Sequence, residues 1–239
     1  MFRDQDLLLR RLTTLYIGRE LTDLQTDQFC RFGDMLLKWN LRLNLTRITE
    51  PGEVVLKHFV DSMALAKYIS GVKVADLGTG AGFPGVPLKI LRPELEMVLV
   101  DSLNKRLKFL DAVIQTLPLE GVKTVHARLE NIGNNPDYRA SFDTVTARAV
   151  ARLPELLEYA LPLLKPGGLF LAAKGPQAGA ELKEAKEALR LLGGRLESLE
   201  QYDLGETAEY HAVVIVRKVN DTPAKYPRRA GTPQKHPLV

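Results

Sequence analysis

Two rhythms divide the chain. Up to about residue 70, apolar residues recur every three or four positions. Leu24, Phe29, Phe32, Leu36, Trp39 and Leu43 fall on one face of a helix. Thr22 with Gln25 predicts a capping box at its start. "EPGEVVLKHFVDSMALAKYI" predicts a second helix, with Pro51 near its beginning. From residue 72 short β-rich runs take over: "VKVADLG", "EMVLVDS", "VKTVHA", "FDTVTARA" and "GLFLAAK". Amphipathic segments such as "NKRLKFLDAVIQTL" and "PELLEYALPLL" lie between them. Alternation of this kind predicts right-handed β-α-β crossovers and a mostly parallel, doubly wound α/β sheet. After the helical "GAELKEAKEALRLL" the rhythm breaks. "GRLESLEQYDL" and "YHAVVIVRKV" are too close in sequence for a crossover helix, so they should pair antiparallel at one side of the sheet. The expected division is a helical extension over 1–70, a core over 71–218 and a tail over 219–239. The tail carries four prolines and little apolar content, so it should lie irregularly on or near the core.

The first strand runs into "VADLGTGAGFPGVPL", where Gly80, Gly82 and Gly85 match G-x-G-x-x-G. Glycines there admit positive φ and let a ligand approach the backbone. Asp101, ending the second strand, is placed to accept from ribose hydroxyls. An adenosine-type ligand is therefore expected, and three remain in play: NAD, a phosphate-bearing nucleotide and S-adenosylmethionine. Pro84 and Pro87 remove N–H groups that a pyrophosphate would use. Asp76, just before Gly78, repels a phosphate and suits a cationic amine. The Gly-Lys-Ser/Thr of a phosphate loop is missing. S-adenosylmethionine, with its ribose, adenine, amine and carboxylate, fits these residues better.

Charge and composition narrow the setting. The 239-residue chain has a formal charge of +4 and one cysteine, Cys30, so no internal disulfide forms and a reduced, cytoplasmic setting is expected. "MFRDQDLLLRRL" lacks the apolar core of a signal peptide, and no apolar run is long enough to span a membrane. Past residue 216 stand Arg217, Lys218, Lys225, Arg228, Arg229 and Lys235 against Asp221 alone. These cations read either as a solvated tail or as a phosphate-seeking arm. Only four histidines occur and none has ligand spacing, so no metal is expected.

With "LKPGGLFL" and the terminal strand pair, the glycine turn resembles class I S-adenosylmethionine-dependent methyltransferases, a Rossmann-like seven-stranded sheet whose last strand is antiparallel. Longer stretches resemble a narrower group. They are "WNLRLNLTRI", "KHFVDS", "DLGTGAGFPGVPLKI", "VDSLNKRLKFL", "TARAVA", "KGP" and "KYPRRAGTPQKHPL". Together they are similar to the ribosomal small-subunit methyltransferase G family (RsmG, or GidB), over nearly the whole chain. The resemblance implies methyl transfer to N7 of a guanine in 16S rRNA, with S-adenosylhomocysteine as product and the rRNA or small ribosomal subunit as partner. Nothing demands more than a monomer. "NPDY" at 135–138 imitates the signature of amino-methylating enzymes, but it precedes its strand and reads as a turn.

Site residues follow from the turn and the resemblance. Gly78, Gly80 and Gly82 should floor the methionine part with Phe83 nearby, Asp76 should hold the amine, directly or through water, and Asp101 the ribose. Leu129 and Glu130 should border adenine. Arg148 ends the fourth strand and is expected at O6, a phosphate or the cofactor, leaving N7 open. His58 and Asp61 share a helix face, and the resemblance makes them an active-site wall with Asn44, Arg47 and Lys174. Lys105, Arg106, Lys108, Arg128, Arg228 and Arg229, together with Arg47, are candidates for rRNA phosphates. N7 carries a lone pair and no proton, so transfer there needs alignment rather than a base. The competing functions are methylation of a small molecule, a nucleic-acid-binding module and a nicotinamide oxidoreductase.

Overall fold

The structure is a computed structural model that describes residues 2–205 and 210–239. Helix α1 (Asp6–Ile17) leads to α2 (Asp23–Leu43), which begins with the expected box: Gln25 N–H donates to Thr22 Oγ1, and Thr22 N–H to Gln25 Oε1. Phe29, Phe32 and Leu36 are fully buried, but Leu24, counted on the same face, is 66% exposed in the first turn. The segment expected as one helix over 50–69 is not regular. A short α3 (Pro51–Val54) opens into a π-helical turn over Val55–Val60, then α4 (Asp61–Met63) and a 3-10 turn over Ala64–Tyr68. An outside donor takes part of the carbonyl ladder here: Arg148 Nη1 donates to Lys57 O at 3.1 Å. A side chain inserted into a ladder is an established cause of such irregularity.

Seven strands follow: β1 (Lys73–Leu77), β2 (Glu96–Asp101), β3 (Val122–His126), β4 (Phe142–Arg148), β5 (Leu164–Lys174), β6 (Gly194–Tyr202) and β7 (His211–Lys218). Their order is β3-β2-β1-β4-β5-β7-β6. The first five are parallel, and β7 runs antiparallel to both β5 and β6, as the short connection requires. Side chains alternate between two cores, as the period of a strand dictates. Val74, Met97, Leu99, Leu169, Leu171 and Ile215 face α2 and the helices α5 (Gly85–Leu91) and α6 (Asn104–Thr116). Ala75, Val98, Val100, Phe170, Val214 and Val216 face the opposite layer, with α8 (Leu153–Ala160) and α10 (Lys186–Leu192). The short helix α7 (Leu129–Asn134) follows β3 and α9 (Ala178–Glu184) follows β5. Residues 135–139 form a turn, with Asp137 N–H donating to Asn135 Oδ1, so "NPDY" is a turn as expected.

The C-terminal segment, including α11 (Thr232–Lys235), is tied down at several points. Arg139 donates to the carbonyls of Thr222, Pro223 and Tyr226. Arg228 grips Glu158, which has no exposed surface, with Nη2 to Oε2 at 2.6 Å. Lys218 is 2% exposed and donates to Leu161 O and the Thr222 hydroxyl. Three of the cations expected on a basic arm are thus used internally: Arg217 on Glu197, Lys218 under the tail, Arg228 on Glu158. Among the described residues no helix is long and apolar enough to cross a membrane, and no group of three or more His, Cys, Asp or Glu is placed to hold a metal.

Candidate active site

The carboxyl ends of the parallel strands carry two adjoining cavities. The first, of about 470 Å³, is lined by Gly78, Asp101, Leu103, Arg106, Leu129 and Glu130 among others. That volume lies within the ~300–1,000 Å³ usual for small-molecule sites. Asp101 is fixed before any ligand arrives: Oδ2 accepts from Gly80 N–H at 2.9 Å and from Arg106 Nη1 at 3.2 Å, and Oδ1 from Leu103 N–H at 2.8 Å. Gly80 has φ +59°, a left-handed conformation that favours glycine, and a Cβ there would touch Gly78 O at 3.8 Å. Leu129 and Glu130 sit across the cavity, and Glu130 Oε1 also accepts from Gly231 N–H of the tail. This donor and acceptor set fits an adenosyl group with a ribose over Asp101.

Asp76, expected at the amine directly or through water, is buried against the glycine turn. It has no exposed surface and lines neither cavity; Oδ2 accepts from Gly85 N–H at 3.0 Å and Oδ1 from the Thr146 hydroxyl at 3.0 Å. Burial pushes its carboxyl up to about 6, the Thr146 and Gly85 bonds pulling the other way. It therefore pins the glycine turn to β4. Phe83 also lines neither cavity. Its ring stacks on His58 at 4.5 Å and lies 5.1 Å beneath the Arg148 guanidinium, so it floors that pair.

The second cavity, of about 720 Å³, meets the first at Ala149 and Ala151. Its wall brings together Asp61, Arg148, Lys174, Glu181, Tyr202 and His211. Asp61 is the hub. Oδ2 accepts from Arg148 Nη1 at 2.7 Å, Oδ1 from the Tyr202 hydroxyl at 2.6 Å, and His211 Nδ1 lies 3.0 Å from Oδ1. Burial alone would push this carboxyl up; His211, Arg148 and Tyr202 outweigh it and hold it at about 2. Burial, with the Asp61 charge beside it, pushes the Tyr202 hydroxyl well above the ordinary tyrosine range. Arg148 Nη2 lies 3.2 Å from His58 Nδ1, and a guanidinium only donates, so Nδ1 accepts. His58 Nε2 then carries the proton and donates to Thr46 Oγ1 at 2.7 Å. Burial and then the Arg148 charge lower this imidazole to about 4, so it is neutral near pH 7. Lys174 Nζ donates to Ala151 O and to Glu181 Oε2, each at 2.7 Å.

Of the expected wall residues, His58, Asp61, Arg148 and Lys174 come together, and Asn44 and Arg47 do not. Asn44 is exposed and caps α2 with φ 50°, while Thr46 reaches the site instead, held by the Asn40 side chain. Thr46, Glu181, Tyr202 and His211 escaped sequence reasoning. Only the neighbourhood of Thr46 in "WNLRLNLTRI" offered a signal; the others lie on α9 and on the β6–β7 pair. Lys105, Lys108, Arg128 and Arg229 are exposed, and among the described residues they form no ion pair. Arg106 turns Nη1 toward Asp101 and lines the first cavity, and Arg228 is occupied by Glu158.

Comparison with known proteins decides the family. The model of the GidB family, rRNA small subunit methyltransferase G, matches residues 25–208. The chain belongs to this family. A ribosomal RNA small subunit methyltransferase G of Desulfitobacterium hafniense is 55% identical over 239 residues, covering 100% of both chains. One of Acetivibrio thermocellus is 45% identical, covering 99% of each. Among solved structures, a SAM-dependent O-methyltransferase of Thermotoga maritima shares the fold with TM-score 0.52 and 17% identity, over 77% of this chain and 71% of that one. A 16S rRNA (adenine(1408)-N(1))-methyltransferase of Catenulisporales acidiphilia has TM-score 0.53 and 15% identity, over 66% and 90%. The family's class I methyltransferase fold, a seven-stranded sheet with β7 reversed, is the fold of this enzyme.

Proposed function

We propose that this member of the family transfers the methyl group of S-adenosylmethionine to N7 of a specific guanine in 16S rRNA, with S-adenosylhomocysteine as product. The observation that carries the reading beyond family membership is the state of the titratable groups packed around Arg148. His58 is neutral, with both nitrogens engaged, and Asp61 is held as an anion by three partners. Neither is free to take a proton, and N7 has none to give. S-adenosylmethionine, when bound, supplies an electrophilic methyl group. The chain's own residues then have only to bind and align.

In this reading Gly78, Gly80 and Gly82 cradle the methionine part, Asp101 takes the ribose, and Leu129 with Glu130 borders adenine. Arg148, held on three sides, keeps its remaining N–H groups for the acceptor nucleotide. Lys105, Lys108, Arg128, Arg229 and Arg47 meet rRNA phosphates. Residues 1–70 wall the site, 71–218 form the catalytic core, and 219–239 lie against it. One chain lines both cavities, which supports a monomer as the working unit. Unmodified 30S subunits incubated with labelled cofactor should acquire label at one guanine of 16S rRNA, chemically at N7. Absence of label in 16S rRNA overturns the proposal.

A further inference from the structure

Glu181 is the least explained group at the site. It stands in α9, between β5 and β6, and it lines the second cavity. Its two oxygens are not equivalent. Oε2 accepts from Leu153 N–H and from Lys174 Nζ, both at 2.7 Å. Oε1 accepts from nothing among the described residues, and it is not a buried orphan, so it opens on the cavity. Two donors on one oxygen fix the carboxylate plane, and the other oxygen is left as a preorganised hydrogen-bond acceptor.

Resting on the guanine reading above, we infer that Glu181 is the residue that selects guanine, by accepting from N1–H and the 2-amino group of the flipped-out base. Guanine is the one standard purine with two adjacent donors on its Watson–Crick edge. Adenine presents a bare N1 lone pair there, which a carboxylate repels. That edge and N7 lie on opposite sides of the base. A base held at Glu181 by N1 and N2 therefore turns N7 away from α9, into the body of the cavity. Tyr202 and Tyr210 line the same cavity and offer aromatic surface to the base faces. Lys174 has two of its three protons committed, to Glu181 and Ala151, and the third is available to O6. Extrusion of the nucleotide from its stack is required for a base to enter such a cavity.

Inosine separates this assignment from the general reading, because it keeps N7, O6 and N1–H and lacks only the 2-amino group. Small subunits are reconstituted with 16S rRNA carrying guanine or inosine at the mapped acceptor, and kcat/KM is measured for each. The wild-type chain should prefer guanine by about tenfold or more, chiefly through KM, as expected for loss of a hydrogen bond to a charged group. Glu181→Gln should lose most of that preference, and Glu181→Asp should lose part of it, since the shorter carboxylate withdraws. The guanine-to-inosine ratio is internal to each preparation, so partial misfolding does not alter it. Equal use of the two acceptors by the wild-type chain, or full preference retained by Glu181→Gln, overturns the inference while leaving N7 methylation standing. Failure of the wild-type chain to methylate the guanine acceptor removes both.

Discussion

The two cavities sit side by side at the same ends of the same strands, yet they are built in opposite ways. The cofactor side is made by backbone: a glycine turn, its N–H groups, and two aspartates at adjacent strand ends that hold it. Its parts come from consecutive β-α units. The acceptor side is made by side chains from remote segments. Thr46 and His58, Arg148, Lys174 and Glu181, and Tyr202 and His211 converge from across the chain. Two buried carboxylates summarise the difference. Asp76, satisfied by an N–H and a hydroxyl, is pushed up to about 6; Asp61, facing Arg148, His211 and Tyr202, is held at about 2. A neutral hydrogen-bond set organises the turn. A charged set organises the second cavity, and it fixes Arg148, the neighbour of Ala149 where the two cavities meet.

The contrast breaks most readily at Arg148. Arg148→Ala leaves the 8%-exposed Asp61 carboxylate without its cation, and loss of one member of a buried pair costs about 3–5 kcal/mol. Urea unfolding should show that loss, and methyl transfer should fall at least about 100-fold, the scale on which misplacing a reacting group acts. Arg148→Lys should recover part of the stability and little of the transfer; full transfer with full cofactor affinity would remove Arg148 from its role. A second test separates anchor from RNA contact. Arg228→Ala strands Glu158, which has no exposed surface, and should lower stability by about 3 kcal/mol. Arg229→Ala, at an exposed and unpaired position, should leave stability within about 0.5 kcal/mol and weaken rRNA binding. Equal effects of the two on rRNA binding, with no change in unfolding, would put Arg228 back on the RNA surface.

On the cofactor side the effect is smaller and local. Gly80→Ala places a Cβ at φ +59°, a strain of about 1–3 kcal/mol. Calorimetry should find cofactor affinity reduced about tenfold, with the guanine-to-inosine ratio unchanged. The remaining test is a pH dependence, and it concerns the tail. Burial, and then the neighbouring Arg139 charge, lowers Lys218 from 10.5 to about 7. Between those values the unfolded chain holds the proton and the folded chain has lost it, so stability rises with pH across pH 7 to 10.5. Thermal unfolding of Lys218→Met relative to the wild-type chain should show this rise removed; parallel pH curves would contradict the lowered lysine.

The frame of the molecule was legible because its signals are local. The capping box at Thr22 and Gln25, the glycine turn, the acid at Asp101 and the short link between the last two strands each depend on neighbours in sequence. The irregular turn at Val55–Val60 was not legible, since its cause is an arginine about ninety residues away. Asp76 and Arg228 show the same limit from the other side. Their types suggested a ligand amine and a phosphate, but burial beside Gly85 and Thr146, and against Glu158, commits them to the protein itself. Residue type and spacing alone determined that this chain folds as a doubly wound sheet with a glycine turn after its first strand. Only the tertiary structure decided that Asp61 stays charged, that His58 stays neutral and that Glu181 keeps one oxygen free. Charge state and spare hydrogen-bonding capacity depend on which distant groups burial brings within 3 Å, and no local pattern encodes that distance.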